Sequence, residues 1–117
     1  MKAYKTSAHP ERDSDNYVTA SKVTEVKEGE LLSMTISGEP ILVTRVNGQL
    51  RAFSAACPHA AGNLAMGSYY KGRIDCPEHG YRFDVLTGQP LWPEDEVCRL
   101  RFFGIKEEDG VVKIQLT

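Results

Sequence analysis

The chain is poor in the residues and patterns that identify several large classes of protein. Its first ten residues, Met1-Lys2-Ala3-Tyr4-Lys5-Thr6-Ser7-Ala8-His9-Pro10, contain no apolar stretch of the kind a secretory signal needs. Nor is there a run of about 18 apolar residues that could cross a bilayer as a helix, so no membrane association is expected and a cytoplasmic location is the default. Basic residues are not in excess: 14 Lys and Arg stand against 16 Asp and Glu, a formal charge of -2. A nucleic-acid partner is therefore not expected. Three cysteines are an odd number, which leaves no disulfide framework within one chain and suits reducing surroundings. No internal repeat or interdomain linker is visible. With 117 residues, 41% of them hydrophobic, the chain has material for one ordinary domain and no room for a second catalytic one.

Within this sparse supply, the cysteines and histidines are concentrated. Cys57-Pro58-His59 is followed after sixteen residues by Cys76-Pro77-Glu78-His79-Gly80. Two segments thus offer one thiolate and one imidazole each, a ligand set suited to zinc or to an iron-sulfur centre. Structural zinc sites commonly group two cysteines at close spacing and two histidines three to five residues apart. Here the order is Cys, His, Cys, His, with a proline after each cysteine, which lets two opposing loops wrap a binuclear centre. The third histidine, His9, has no partner in spacing and reads as a solvated residue.

The remaining pattern is one of short alternating segments broken by turns, which predicts an antiparallel all-β domain. Residues 1–16 are polar, lack periodicity and read as a mobile tail, with the folded domain spanning 17–117. Strands are expected at Tyr17–Ala20, around Leu32, Met34 and Ile36, at Ile41–Val46, and at Gln49–Ser54. Between the last two, Asn47-Gly48 is a strong hairpin signal because both residues tolerate positive φ. A second hairpin is predicted around Lys71-Gly72, from Met66–Tyr70 to Arg73–Asp75. Tyr81–Val85 alternates again, and Gln89-Pro90-Leu91-Trp92-Pro93 is too rich in proline for a central strand and reads as a covering loop. Cys98–Lys106 and Val111–Leu116 form a last hairpin around Asp109-Gly110, closing on the strand near Tyr17. The one place where a helix is suggested is Ser21–Lys27.

The spacing Cys57-x-His59, sixteen residues, Cys76-x-x-His79-Gly80, with Phe83-Asp84-x-x-Thr87-Gly88 behind it, resembles the Rieske 2Fe-2S motif, and the resemblance covers nearly the whole chain outside the tail. It implies a Rieske fold: an antiparallel sandwich or barrel-like base carrying a smaller cluster-binding subdomain of two loops and hairpins at about 55–93. It also implies one 2Fe-2S cluster per chain, with Cys57 and Cys76 on the inner iron and His59 and His79 on the outer, solvent-facing iron. Replacing two thiolates by neutral imidazoles raises the formal charge of the oxidised centre by about two units and raises the potential. Reduction then favours imidazole protonation, so the potential should fall as the pH is raised far enough for the ligands to lose protons.

Rieske proteins of respiratory complexes carry a further cysteine in each loop, joined as a disulfide; those positions are Gly62 and Glu78 here. Their serine and tyrosine donors to cluster sulfur fall at Tyr81 and Phe83. Fewer donors, with anionic Asp75, Glu78 and Asp84 nearby, place the expected potential toward the low end of a range of roughly -150 to +300 mV. Pro58 and Pro77 lack backbone donors, leaving the amides of Ala60, Ala61, Glu78 and Gly80 as candidates.

By this resemblance the protein is a monomeric electron carrier, not an enzyme by itself. It would pass one electron from a flavoprotein ferredoxin reductase to a ring-hydroxylating terminal oxygenase, each docking near His59 and His79. An oxygenase large subunit is excluded because its catalytic iron needs two histidines and a carboxylate, and only His9 would remain. Alternatives are a small Rieske subunit of another reductase, such as a nitrite reductase, or a structural zinc or redox-sensing interaction module. Cys98, on one face with Leu100 and Phe102, reads as a small buried hydrophobe. Trp92 either packs beneath the loops or forms an apolar rim with Ala60, Ala61 and Tyr81. The arginines at 45, 51, 73, 82, 99 and 101 read as solvated strand positions.

Overall fold

The structure, a computed structural model, describes residues 2–5, 16–22, 26–59, 62–78 and 80–116. Its first sheet has the strand order β1-β3-β4-β5-β10-β11-β2. The strands are β1 (Lys2–Lys5), β2 (Tyr17–Lys22), β3 (Leu31–Ile36), β4 (Glu39–Val46), β5 (Gln49–Ser54), β10 (Phe102–Glu108) and β11 (Val111–Gln115). The second sheet, of β6 (Ser68–Tyr70), β7 (Arg73–Asp75), β8 (Arg82–Asp84) and β9 (Pro90–Trp92), runs in sequence order. The protein is all-β, as its alternating pattern predicts.

Turn chemistry accounts for much of the register. Asn47 and Gly48 have φ of 51° and 78°, and Lys71 and Gly72 have 47° and 79°, so both hairpins turn through the left-handed region that matches strand twist. Ser37-Gly38 does the same, with φ of 51° and 81°. The chain therefore turns in two residues, and Glu39 and Pro40 already belong to β4.

Strand β4 explains how the two sheets are joined. Ile41, Leu42, Val43 and Thr44 are all fully buried, a continuous run rather than an alternation, because both faces of this central strand are covered. Ile41 and Val43 enter a core shared by Val18 of β2, Met34 of β3, Phe103 of β10 and Ile114 of β11. Strands from both ends of the large sheet share that core, so the sheet curls around it. Leu42 and its cross-strand partner Phe53 point the other way, into a second core with Ile74 and Phe83 of the small sheet and with Cys57 and Cys76. The metal-ligand candidates are thus rooted in hydrophobic packing. A polar link reinforces the join: buried Thr44 donates to Glu30 O at 2.6 Å and meets the Tyr69 hydroxyl at 2.9 Å.

Four details differ from the sequence expectations. Lys2–Lys5, inside the segment read as a tail, is a strand paired in parallel with Leu32–Thr35; a four-residue edge strand needs only backbone partners and leaves no periodicity to read. Ser21 and Lys22 continue β2 against β11 rather than opening a helix; Val23–Glu25 lie outside the described residues. Pro90–Trp92 is an edge strand rather than a loop, an arrangement that tolerates the missing proline N–H. The strand expected from Cys98 starts only at Phe102, since residues 96–101 are tied by isolated bonds, Leu100 N to Gly88 O and Ser54 N to Arg101 O, in place of a ladder. Cys98 is accordingly half-buried and Phe102 is 37% exposed.

Candidate metal centre

The two Cys-His segments are closed in the same way. The Cys57 amide donates to Gly62 O at 2.9 Å, and the Cys76 amide donates to Tyr81 O at 2.7 Å. In each case the cysteine is locked to the carbonyl five residues on, so both loops are closed at the base as hoops. The first hoop leaves β5 and is pinned behind by Leu64 N donating to Ala55 O at 2.7 Å. Asn63 then caps a single 3₁₀ turn, Leu64–Met66, by accepting from Ala65 N. The second hoop joins β7 to β8, with Gly80 at φ 68°.

Cys57 and Cys76 are 5% and 2% exposed. Their thiols are hydrogen-bonded to each other; burial and this contact push the Cys76 thiol up to about 11. The hoops pack closely: a β-carbon on Gly62 would lie 3.1 Å from Cys76 Sγ and 2.7 Å from Glu78 Cγ. No disulfide forms; all three cysteines are free.

His59 sits further out, its side chain 28% exposed. Its ring stacks on Tyr81, with centroids 3.6 Å and planes 13° apart, and Tyr81 meets Trp92 edge-on at 6.1 Å. Trp92 is 48% exposed and meets Tyr81 of the expected rim; the rim's Ala60 and Ala61 lie outside the described residues. Burial, then the Glu96 and Asp95 carboxylates, raise the Tyr81 phenol, keeping it protonated. His79, Ala60 and Ala61 lie outside the described residues. Among the described residues no three Cys, His, Asp or Glu side chains gather around a single point.

The carboxylates expected to surround the site are differently employed. Asp75 pairs with Arg73 at 3.0 Å and with Arg82 at 3.8 Å. Asp84 accepts from Leu86 N at 2.8 Å, fixing the turn after β8. The Asp75 charge is thus compensated, which removes one of the three anions on which the low-potential expectation drew. Sequence reasoning missed Glu96, whose Oε2 is 3.5 Å from His59 Nδ1. Position 96 belongs to no motif; it lies in an acidic run, Glu94-Asp95-Glu96, that offers no separate signal.

Two thiols side by side and out of water, with an imidazole beyond them at a surface tip, fit the division of ligands that a mixed thiolate-imidazole cluster requires. The Rieske [2Fe-2S] domain model matches residues 16–103. The chain belongs to the Rieske family. A Rieske domain carries a [2Fe-2S] cluster, and the donor set here suits one. A similar protein is the ferredoxin component of the naphthalene 1,2-dioxygenase system of Pseudomonas aeruginosa, 32% identical over 78 residues, or 67% of this chain and 75% of the relative. Among solved structures, the ferredoxin of carbazole 1,9a-dioxygenase from Nocardioides aromaticivorans IC177 superposes with a TM-score of 0.74 at 27% identity, covering 87% of this chain and 99% of that one. A chain of a complex of reduced oxygenase and oxidized ferredoxin in carbazole 1,9a-dioxygenase gives 0.75 at 26% identity, covering 87% of this chain and 94% of that one. No helix among the described residues is long and apolar enough to cross a membrane.

Proposed function

We propose that this Rieske protein is a ferredoxin that carries single electrons to a ring-hydroxylating oxygenase, with Cys57, His59, Cys76 and His79 as its cluster ligands. The observation that carries this reading is the pair of adjacent, buried thiols of Cys57 and Cys76, with the partly exposed imidazole of His59 two residues after the first. When bound, the cluster supplies a one-electron couple. Cys57 and Cys76 would hold the cluster as thiolates from the hydrophobic core, and His59 and His79 would hold it as imidazoles on the side open to a partner. Tyr81 covers one face of the His59 ring, shields it from water and fixes its plane.

The donor of the electron is a flavoprotein ferredoxin reductase and the acceptor is the terminal oxygenase, each docking in turn around His59 and His79. The shared surface means that the partners exclude one another, as suits a shuttle, and a small interface below about 1,200 Å² keeps each encounter short. The protein acts as a monomer in the cytoplasm, where a reducing environment keeps its thiols free.

The test is turnover with the complete chain. Anaerobically prepared protein should absorb in the visible, bleach with dithionite, and give the electron-spin resonance of a reduced mixed-ligand cluster. Supplied with NADH, a ferredoxin reductase and an aromatic-ring oxygenase, it should restore product formation that those components lack alone. A colourless, zinc-containing protein would overturn the ligand reading, and a coloured protein idle toward every oxygenase would overturn the assignment of partner.

A further inference from the structure

After β9 the chain turns back across His59. The Glu96 amide donates to Pro93 O at 3.1 Å, setting the turn that aims the Glu96 side chain. Glu96 Oε1 accepts from Val97 N at 2.9 Å and from Cys98 N at 3.0 Å, and the Cys98 thiol bonds the same carboxylate. The other oxygen, Oε2, is left facing His59 Nδ1 at 3.5 Å. Only 15% of the side chain is exposed. Surface carboxylates usually move freely and are screened; this one is held by three local donors and aimed at one ring. A carboxylate is ionised near neutrality, and the amide donors of Val97 and Cys98 suit the ionised form. Among the described residues His59 is the one basic group paired with it.

We propose that Glu96 is a positioning residue, which fixes a permanent negative charge against the His59 imidazole and thereby makes the cluster harder to reduce. The proposal rests on His59 being a ligand. An anion held next to a ligand repels an added electron, and partial burial limits the screening. This also supplies an anion near the site in place of Asp75, whose charge is compensated by Arg73 and Arg82.

The test is the equilibrium between the loaded protein and a redox dye, with dithionite as reductant, in the native chain, E96Q and E96D. Glutamine keeps an oxygen for the Val97 and Cys98 amides but removes the charge. The equilibrium constant for reduction should rise about fivefold in E96Q and much less in E96D. If E96Q loses the cluster while E96D keeps it with a native constant, Glu96 holds the site rather than setting its potential, and the proposal is overturned. The proposal is overturned if loaded E96Q has the native constant, or if neither variant holds the cluster, which would make Glu96 a scaffold residue. A native protein without the spin resonance of the reduced cluster would instead be the failure of the ligand reading.

Discussion

Gly62 lies directly against Glu78 across the two hoops, close enough that a β-carbon at position 62 would stand 2.7 Å from Glu78 Cγ. These are the two positions where the resemblance to respiratory Rieske proteins places a disulfide. The hoops still meet there, but the contact is made by a missing side chain on one side and a carbon stem on the other. Gly62→Ala should therefore loosen the site. The Glu78 stem is exposed and can swing aside, but Cys76 Sγ, 3.1 Å away, is fixed by its burial. Overpacking of this kind costs about 1–3 kcal/mol. The variant should hold less iron after purification and bleach faster with a chelator, and removing the Glu78 side chain as well should give only partial recovery. Native iron retention in Gly62→Ala would mean that the hoops part without strain.

The Cys76 thiol gives a dependence on pH in protein stripped of metal. Its ordinary value of 9.0 is raised to about 11, by burial first and by the contact with Cys57 next. The folded state then binds this proton more tightly than the unfolded state does. Its contribution to stability is fully present below pH 9 and is lost as the pH rises toward 11. Apo protein should consequently melt at progressively lower temperature across that interval. Iodoacetamide labelling of Cys76, followed by mass spectrometry, should be slow at neutral pH and accelerate with alkali, because the thiolate is the nucleophile. Labelling as fast as that of an unfolded control at pH 7 would contradict this. Cluster assembly must displace the same proton, so it should be easier at higher pH.

Thr44 connects the two sheets through a polar bond inside otherwise apolar packing. With its hydroxyl hydrogen directed to Glu30 O at 2.6 Å, its oxygen is free to accept from Tyr69 at 2.9 Å. Thr44→Val keeps the shape and removes both bonds. The unpaired groups should cost about 1–3 kcal/mol, read as a lower midpoint in urea at an unchanged slope. Tyr69→Phe should lose less, because Thr44 keeps its bond to Glu30. Equal midpoints for the native and Thr44→Val proteins would show that water replaces the lost bonds.

What could be read in advance follows from the range of the interactions involved. Asn47-Gly48 and Lys71-Gly72 specify their turns locally, so both hairpins were visible. The Cys-His spacing was visible too, because a multinuclear centre needs particular ligand types in a particular order. Ile41-Leu42-Val43 was recognisable as a strand, but not as the strand buried on both faces, since that depends on the small sheet folding over it. The edge strand Lys2–Lys5 is held by a pairing partner remote in sequence, whereas Pro90–Trp92 pairs with the neighbouring strand β8 and is disguised by its prolines. Glu96 is the clearest case of the limit. Nothing in its neighbours distinguishes it from Glu94 or Asp95, and its place beside His59 arises from a turn some 37 residues further along the chain.

The edge-on contact of Trp92 with Tyr81, and the stacking of Tyr81 on His59, extend an aromatic surface from the candidate ligand outward to solvent. Exposed tryptophans are expensive to leave in water, and they recur among the few residues that dominate interface energies. Trp92→Ala should weaken the encounter with the reductase and the oxygenase without altering the couple itself. The concentration of ferredoxin giving half-maximal turnover should rise about tenfold, equivalent to about 1.4 kcal/mol, while the rate at saturation and the potential stay near native. Trp92→Phe should recover part of the loss, since it restores an aromatic edge against Tyr81. The competing role, packing that stabilises the loops, makes the opposite forecast: a shifted potential, an altered visible spectrum and lower iron content, at unchanged half-saturation. Because the two patterns share no feature, a single pair of variants distinguishes a docking contact from a structural one.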